Sequence, residues 1–132
     1  MGRDVKLHEI YSPLSVVAND QESLIGVAAR MRFNDVGSAA VVDERNTLVG
    51  IITERDIVRA VADGADTEKT LVYEYMTSDP TVASPEMEVR DAVRIMLDAG
   101  IRHLPVVTPD GALIGLASMR DTLSELLWPR NS

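Results

Sequence analysis

Cysteine is absent from the sequence. Without it no disulfide framework and no thiolate metal site can form, and nothing points to an oxidising compartment. Histidine occurs only as His8 and His103, too few for a multi-histidine metal centre. No metal site is expected. Aromatic residues make up 4% of the chain, so stacking on rings is not the expected mode of ligand binding. No apolar run approaches the roughly 18–20 residues that a bilayer span requires. Met1 to Ile10 mix charged and apolar side chains and lack the apolar stretch of a secretory leader. The sequence therefore reads as cytoplasmic, with no membrane association. Positive charge is in the minority: 13 Lys and Arg face 21 Asp and Glu, a formal net charge of −8. Such a chain repels a phosphate backbone, which argues against nucleic acid. A phosphorylated ligand would need a local cluster of donors set against this field. No nucleophile–base pair and no glycine-rich phosphate loop with lysine are evident, so the chain is not read as an enzyme.

What the sequence does contain is a repeat of itself. The 132 residues, 45% of them hydrophobic, suffice for one compact domain or two small interlocked ones. Leu48-Val49-Gly50-Ile51-Ile52-Thr53-Glu54-Arg55-Asp56 recurs as Leu113-Ile114-Gly115-Leu116-Ala117-Ser118-Met119-Arg120-Asp121, 65 positions further on. The same ungapped offset pairs Val41-Val42 with Val106-Val107, Met31 with Met96, Val17-Ala18 with Val82-Ala83 and Glu9 with Glu74.

Both halves have the same local pattern. Leu24, Val27, Ala28 and Met31, and again Val89, Ala92, Val93 and Met96, follow the spacing of an amphipathic helix. Asn19 or Asp20 and Ser84-Pro85 are the expected start signals. Short apolar runs follow, Ala39–Val42 and Leu104–Val107. Turns at Asp43–Thr47 and Pro109-Asp110-Gly111 lead into second runs ending at Gly50–Ile52 and Gly115–Ala117, so each pair reads as a β-hairpin. Thr53 and Ser118 are suitable N-caps for closing helices over Glu54–Ala62 and Met119–Trp128, ended by Asp63-Gly64 and Pro129. The expected fold is α+β: two pseudo-symmetric βαββα repeats packed sheet to sheet on a shared core. The repeats span 7–64 and 72–128, with 65–71 as a connector that is polar over Ala65–Thr70.

Leu48–Asp56, ending in Thr-Glu-Arg-Asp, and Gly100-Ile101-Arg102-His103-Leu104-Pro105-Val106-Val107 resemble the signature phrases of cystathionine-β-synthase (CBS) domains. The resemblance runs from about Leu7 to Leu127 and is to a stand-alone tandem pair, a Bateman module. It implies two clefts between the repeats that take an adenine nucleotide (AMP, ADP or ATP), with S-adenosylmethionine or NAD as secondary candidates. It implies no cofactor, and a homodimer formed through the helices. The expected function is a regulatory energy- or ligand-sensing module that signals to an unidentified partner by conformational change. The alternative is a ligand-free interaction or dimerisation module with vestigial clefts.

The chemistry of the phrases fits a ligand. Thr53-x-x-Asp56 and Ser118-x-x-Asp121 place a hydroxyl and a carboxylate on one side of a helix start. A carboxylate accepts hydrogen bonds from two vicinal ribose hydroxyls, and helix-start amides suit a phosphate. The same motif is also a capping box that satisfies helix amides with no ligand present, and the hydroxyl can do both. The resemblance implies that each cleft borrows its base-binding wall from the opposite repeat. The Asp56 cleft would then be lined by Thr81, Ile101, Arg102 and His103 over Ile51. The Asp121 cleft would be lined by Val16, Val36, Gly37 and Ser38 over Leu116. Arg102 and His103 suit phosphate, or form an exposed charged turn. Arg55 and Arg120 either reach phosphate or pair with acidic neighbours. Asp35 and Ala40 stand where the second repeat has Gly100 and Pro105, so the two clefts are expected to be unequal, that of Asp56 being tighter. Trp128 and Tyr73 read as packing or dimer-contact residues, and His8 as a surface or strand-edge residue.

Overall fold

Hydroxyl side chains open three of the helices. The computed structural model describes residues 5–11 and 16–129. Ser23, Thr53 and Ser118 each accept a hydrogen bond from a first-turn amide of helices α1 (Leu24–Phe33), α2 (Glu54–Ala62) and α4 (Met119–Leu127). Helix α3 (Val89–Ala99) follows Glu88 without a side-chain cap. The starts expected for α1 and α3, at Asn19 or Asp20 and at Ser84-Pro85, lie too early. The Asn19 side chain accepts from the Gln21 amide at 2.9 Å, and its carbonyl accepts from Glu22 at 3.0 Å. This Asx turn engages the upstream polar residue before the helix begins. The Ser84 carbonyl likewise closes a turn with the Met87 amide at 3.1 Å.

The strands repeat in register as well as in sequence. In one sheet β1 (Val17–Asn19) runs parallel to β2 (Ser38–Val42), which is antiparallel to β3 (Leu48–Thr53), which in turn pairs with β4 (Thr77–Ser78). In the other, β5 (His103–Val107) pairs antiparallel with β6 (Leu113–Ser118). Ser38 faces Thr53 as His103 faces Ser118, and the ladder shifts at Val41/Val42 as it does at Val106/Val107. Where the second βαββα unit calls for a first strand, a single parallel bridge joins Ala83 to Val106, the counterpart of the Ala18–Val41 pair. Pro80 and Pro85 bracket this stretch, and a proline has no amide to extend the ladder. Left-handed backbone also recurs: Asn46 (φ 64°) matches Gly111 (φ 91°), and Asp35 (φ 54°) matches Gly100 (φ 69°). In the first repeat both positions therefore carry a Cβ where the second has glycine.

The segment leading into each repeat packs on the body of the other. Residues 16–80 form one compact unit, and 5–11 with 81–129 form the second. In the second unit Leu7 donates to the Met87 carbonyl at 2.8 Å, Val89 donates to Val5 at 2.8 Å, and Lys6 bridges Glu88. In the first, Val72 donates to Glu22 at 2.8 Å, Leu24 donates to Thr70 at 2.9 Å, and Ser23 bridges Leu71. All three relations match at the repeat offset. The exchange gives the polar connector a structural task. Thr70 and Thr67 accept the otherwise unpaired amides of Leu24 and Ile25 at the start of α1.

Each unit holds its own apolar cluster. The first is built on Leu24, Val27, Met31, Val41, Ile52 and Val72. The second is built on Leu7, Val89, Met96, Leu104 and Val106. Among the described residues no helix is long and apolar enough to cross a membrane.

Two predictions follow from this packing. Leu7 is fully buried, so Leu7→Ala should cost about 2–5 kcal/mol. In hydrogen exchange the lost protection should fall in β5, β6 and α3, not in β2 and β3. Asp35→Gly relieves a side chain held at positive φ and should raise stability by about 0.5–1 kcal/mol in chemical denaturation.

Candidate functional site

In the first unit the candidate residues gather where β3 turns into α2. Thr53 ends the strand and caps the helix. Its hydroxyl accepts from the Asp56 amide at 3.3 Å, while Asp56 Oδ2 accepts from the Thr53 amide at 2.8 Å and the Thr53 hydroxyl at 3.0 Å. The capping box anticipated as the alternative reading of this motif is thus formed. The opposite oxygen, Asp56 Oδ1, faces Arg59 Nη2 at 3.4 Å. A carboxylate offers about four lone-pair directions; three are engaged, and Asp56 is 6% exposed.

Arg59 holds more than the aspartate. It donates to the Tyr75 carbonyl at 3.3 Å and lies over the Tyr75 ring, 5.9 Å from its centroid. The Tyr75 hydroxyl donates to Asp63 at 2.8 Å. That bond favours the protonated phenol and holds it above its usual range.

The wall residues of the same repeat lie against this junction. Ser38, buried, is the strand partner of Thr53, and Ile51 pairs with Ala40. The Gly37 carbonyl accepts from the Glu54 amide, the first of α2, at 2.9 Å. A Cβ at Gly37 would sit 3.4 Å from the Glu54 carboxylate. Val36 donates to the Met31 carbonyl at 3.0 Å, which seats it at the end of α1. Val16 is buried one residue before β1.

The second unit rebuilds the junction with other side chains. His103 pairs with Ser118 and Pro105 with Leu116. The Arg102 carbonyl accepts from the Met119 amide at 2.8 Å, the counterpart of the Gly37–Glu54 bond. Ile101 donates to Met96 at 2.9 Å, as Val36 does to Met31. Ser118 caps Asp121 at 3.0 Å. Asp121 is exposed where Asp56 is buried, and Arg102 and Thr81 are exposed. Ser124 stands in the place of Arg59.

Two groups of sequence-derived candidates are therefore brought together. Val36, Gly37 and Ser38 meet Ile51, Thr53 and Asp56 in one unit; Ile101, Arg102 and His103 meet Leu116, Ser118 and Asp121 in the other. Asp56 and Arg102 lie in different units, as do Asp121 and Gly37. Arg55 and Arg120 are exposed on their helices. Arg59, Tyr75 and Glu54 were missed. The i,i+3 spacing of Asp56 and Arg59 on a helix is a readable signal, as is the change from Glu54 to Met119 at one repeat position. Tyr75 had no local signal.

Two copies of one α+β body, each ending in a hydroxyl-x-x-carboxylate helix start, define a tandem-repeat protein. The chain belongs to the CBS domain family, whose model matches residues 8–63 and 72–127. An uncharacterized protein of Methanopyrus kandleri is 34% identical over 122 residues, 92% of this chain; the chain spans 62% of that relative's length. A CBS domain protein from Pyrobaculum aerophilum, solved in complex with AMP, superposes with a TM-score of 0.85 at 29% identity, covering 96% of this chain and 93% of that one. The CBS domain pair of protein MJ0100, solved with 5′-methylthioadenosine and S-adenosyl-L-methionine, gives a TM-score of 0.85 at 26% identity, over 95% of this chain and 97% of that one.

Removing the two caps should have unequal effects. Thr53→Ala deletes both a cap and a donor to buried Asp56 and should cost about 1–2 kcal/mol in urea denaturation. Ser118→Ala, beside an exposed aspartate, should cost about 0.5–1 kcal/mol.

Proposed function

We propose that this CBS pair is a non-catalytic regulatory module that binds an adenine nucleotide between its repeats. Ribose hydroxyls rest on Asp56 or Asp121, and the purine lies against the wall of the opposite repeat. The observation that carries this reading is the placement, in each unit, of a hydroxyl-capped aspartate beside the strand start that would wall the other site. Support comes from the AMP complex of the Pyrobaculum aerophilum protein.

At Asp56 the ribose and Arg59 compete for Oδ1. Binding there releases Arg59, whose other contacts are to Tyr75, so occupancy would be felt in the segment leading to the second repeat. A partner would read that change. In the same reading the chain forms a homodimer through the outward faces of α2 and α4, where Val58, Val61, Leu126, Leu127 and Trp128 are exposed.

A second reading is favoured by one observation. The Asp56 carboxylate is already occupied by its cap and Arg59, as expected of an interaction module without ligand. Thermal unfolding separates the two, since a ligand of the native state raises Tm with concentration. AMP should raise Tm progressively, and Asp56→Asn should weaken AMP about ten-fold in calorimetry, a difference of about 1.4 kcal/mol, with Asp121→Asn weakening it less. Unchanged Tm with millimolar AMP, ADP, ATP, S-adenosylmethionine and NAD would leave the interaction module as the function.

A further inference from the structure

Met76 fills the space that a side chain at position 50 would need. A Cβ on Gly50 would stand 2.6 Å from Met76 Sδ, 3.1 Å from its Cγ and 2.8 Å from the Thr77 carbonyl oxygen. The two shorter distances leave no room for a Cβ. Glycine at 50 is therefore what lets the thioether and the β4 backbone lie on β3. Gly50 is buried, whereas Met76 is only half-buried. A residue that solvent reaches thus covers the strand.

The element beside it is held by little else. β4 is two residues long, both exposed, and pairs with β3 through Gly50–Ser78 and Ile51–Thr77. The Asp79 amide then donates to the Val49 carbonyl at 3.3 Å. Apolar contact comes from Tyr75 and Met76, which pack against the cluster of the first unit. All these groups belong to that one unit.

The chemistry of the sulfur makes the contact conditional. A sulfoxide oxygen is a strong acceptor and needs a donor or water. The polar atom bordering the Gly50 space is the Thr77 carbonyl oxygen, itself an acceptor. An oxidised side chain must leave that space to be solvated. Other methionines are placed differently. Met31 and Met96 are buried, and Met87 and Met119 are half-buried in the second unit. Tyr11 stands at the repeat counterpart of Met76, so the sulfur is peculiar to one repeat.

We propose that Met76 is a reversible oxidation site whose thioether latches β4 onto β3. The oxidant is hydrogen peroxide. A sulfur lone pair attacks one peroxide oxygen, the S–O bond forms as the O–O bond breaks, and the departing oxygen takes up the proton and leaves as water. Sulfur is oxidised by two electrons and the peroxide is reduced. The sulfoxide withdraws from Gly50, and residues 76–79 come off the sheet edge while Val72, fully buried, keeps the preceding turn seated. The latch works whether or not a nucleotide binds.

Peroxide treatment of the full chain, followed by peptide mass mapping and hydrogen exchange, tests this. Met76 should convert to sulfoxide, and exchange in β3, β4 and Asp79 should rise about ten-fold, as for a locally opened segment. Exchange in β1 should stay within about two-fold. Methionine sulfoxide reductase should restore the protection. Met76→Leu keeps the apolar volume and should retain native protection after peroxide, although Met87 and Met119 still oxidise. Three results would overturn the proposal: Met76 left intact by peroxide that converts Met87 and Met119, a Met76 sulfoxide with β4 protection unchanged, or lost protection that persists after the sulfoxide is reduced.

Discussion

One backbone hydrogen bond per repeat organises the candidate site. The first amide of the closing helix donates to the carbonyl just before the hairpin's first strand, Glu54 to Gly37 and Met119 to Arg102. That amide has no partner within its own helix. Satisfying it across the hairpin brings the helix start and the strand start to one edge. Everything argued about ligand chemistry depends on that edge. The wall residues and the capped aspartate of a repeat are neighbours because this bond closes the hairpin at its open end.

The exchange of leading segments gives the edges a stable base. A body of this size buries little apolar surface alone. Leu7 and Val72, each fully buried, supply one more large apolar side chain to the cluster of the other repeat. The same segments take up the orphan amides at the starts of α1 and α3. Sequence repeats and compact units therefore divide the chain differently. Residues 65–71, polar and unremarkable in composition, become the route by which one repeat enters the other's body.

Asp56 shows how one group serves stability and recognition together. Its capping bonds and its pairing with Arg59 hold the helix start, and they also leave it one free lone-pair direction. A ribose must displace something to bind with both hydroxyls. Asp121 is exposed, and Ser124 stands where the first repeat has Arg59. Pseudo-symmetry of the backbone is thus compatible with different behaviour at the two sites, because the side chains around the shared frame have diverged.

Local features were legible in the residues alone. The 3.6-residue apolar spacing located α1 and α3, Thr53 and Ser118 marked the starts of α2 and α4, and Asp63-Gly64 marked the end of α2. These are determined within a few residues of chain, by hydrogen bonding between near neighbours and by the burial face of each element. The ungapped repeat implied a common frame, which the matching strand registers share. Tertiary structure alone decided the rest. It set the crossing of Leu7 and Val72 to the opposite bodies, the seating of the α1 start on Thr67 and Thr70, and the hold of Arg59 on Tyr75. Each depends on groups distant in sequence meeting in space, and side-chain spacing along the chain carries no record of those meetings.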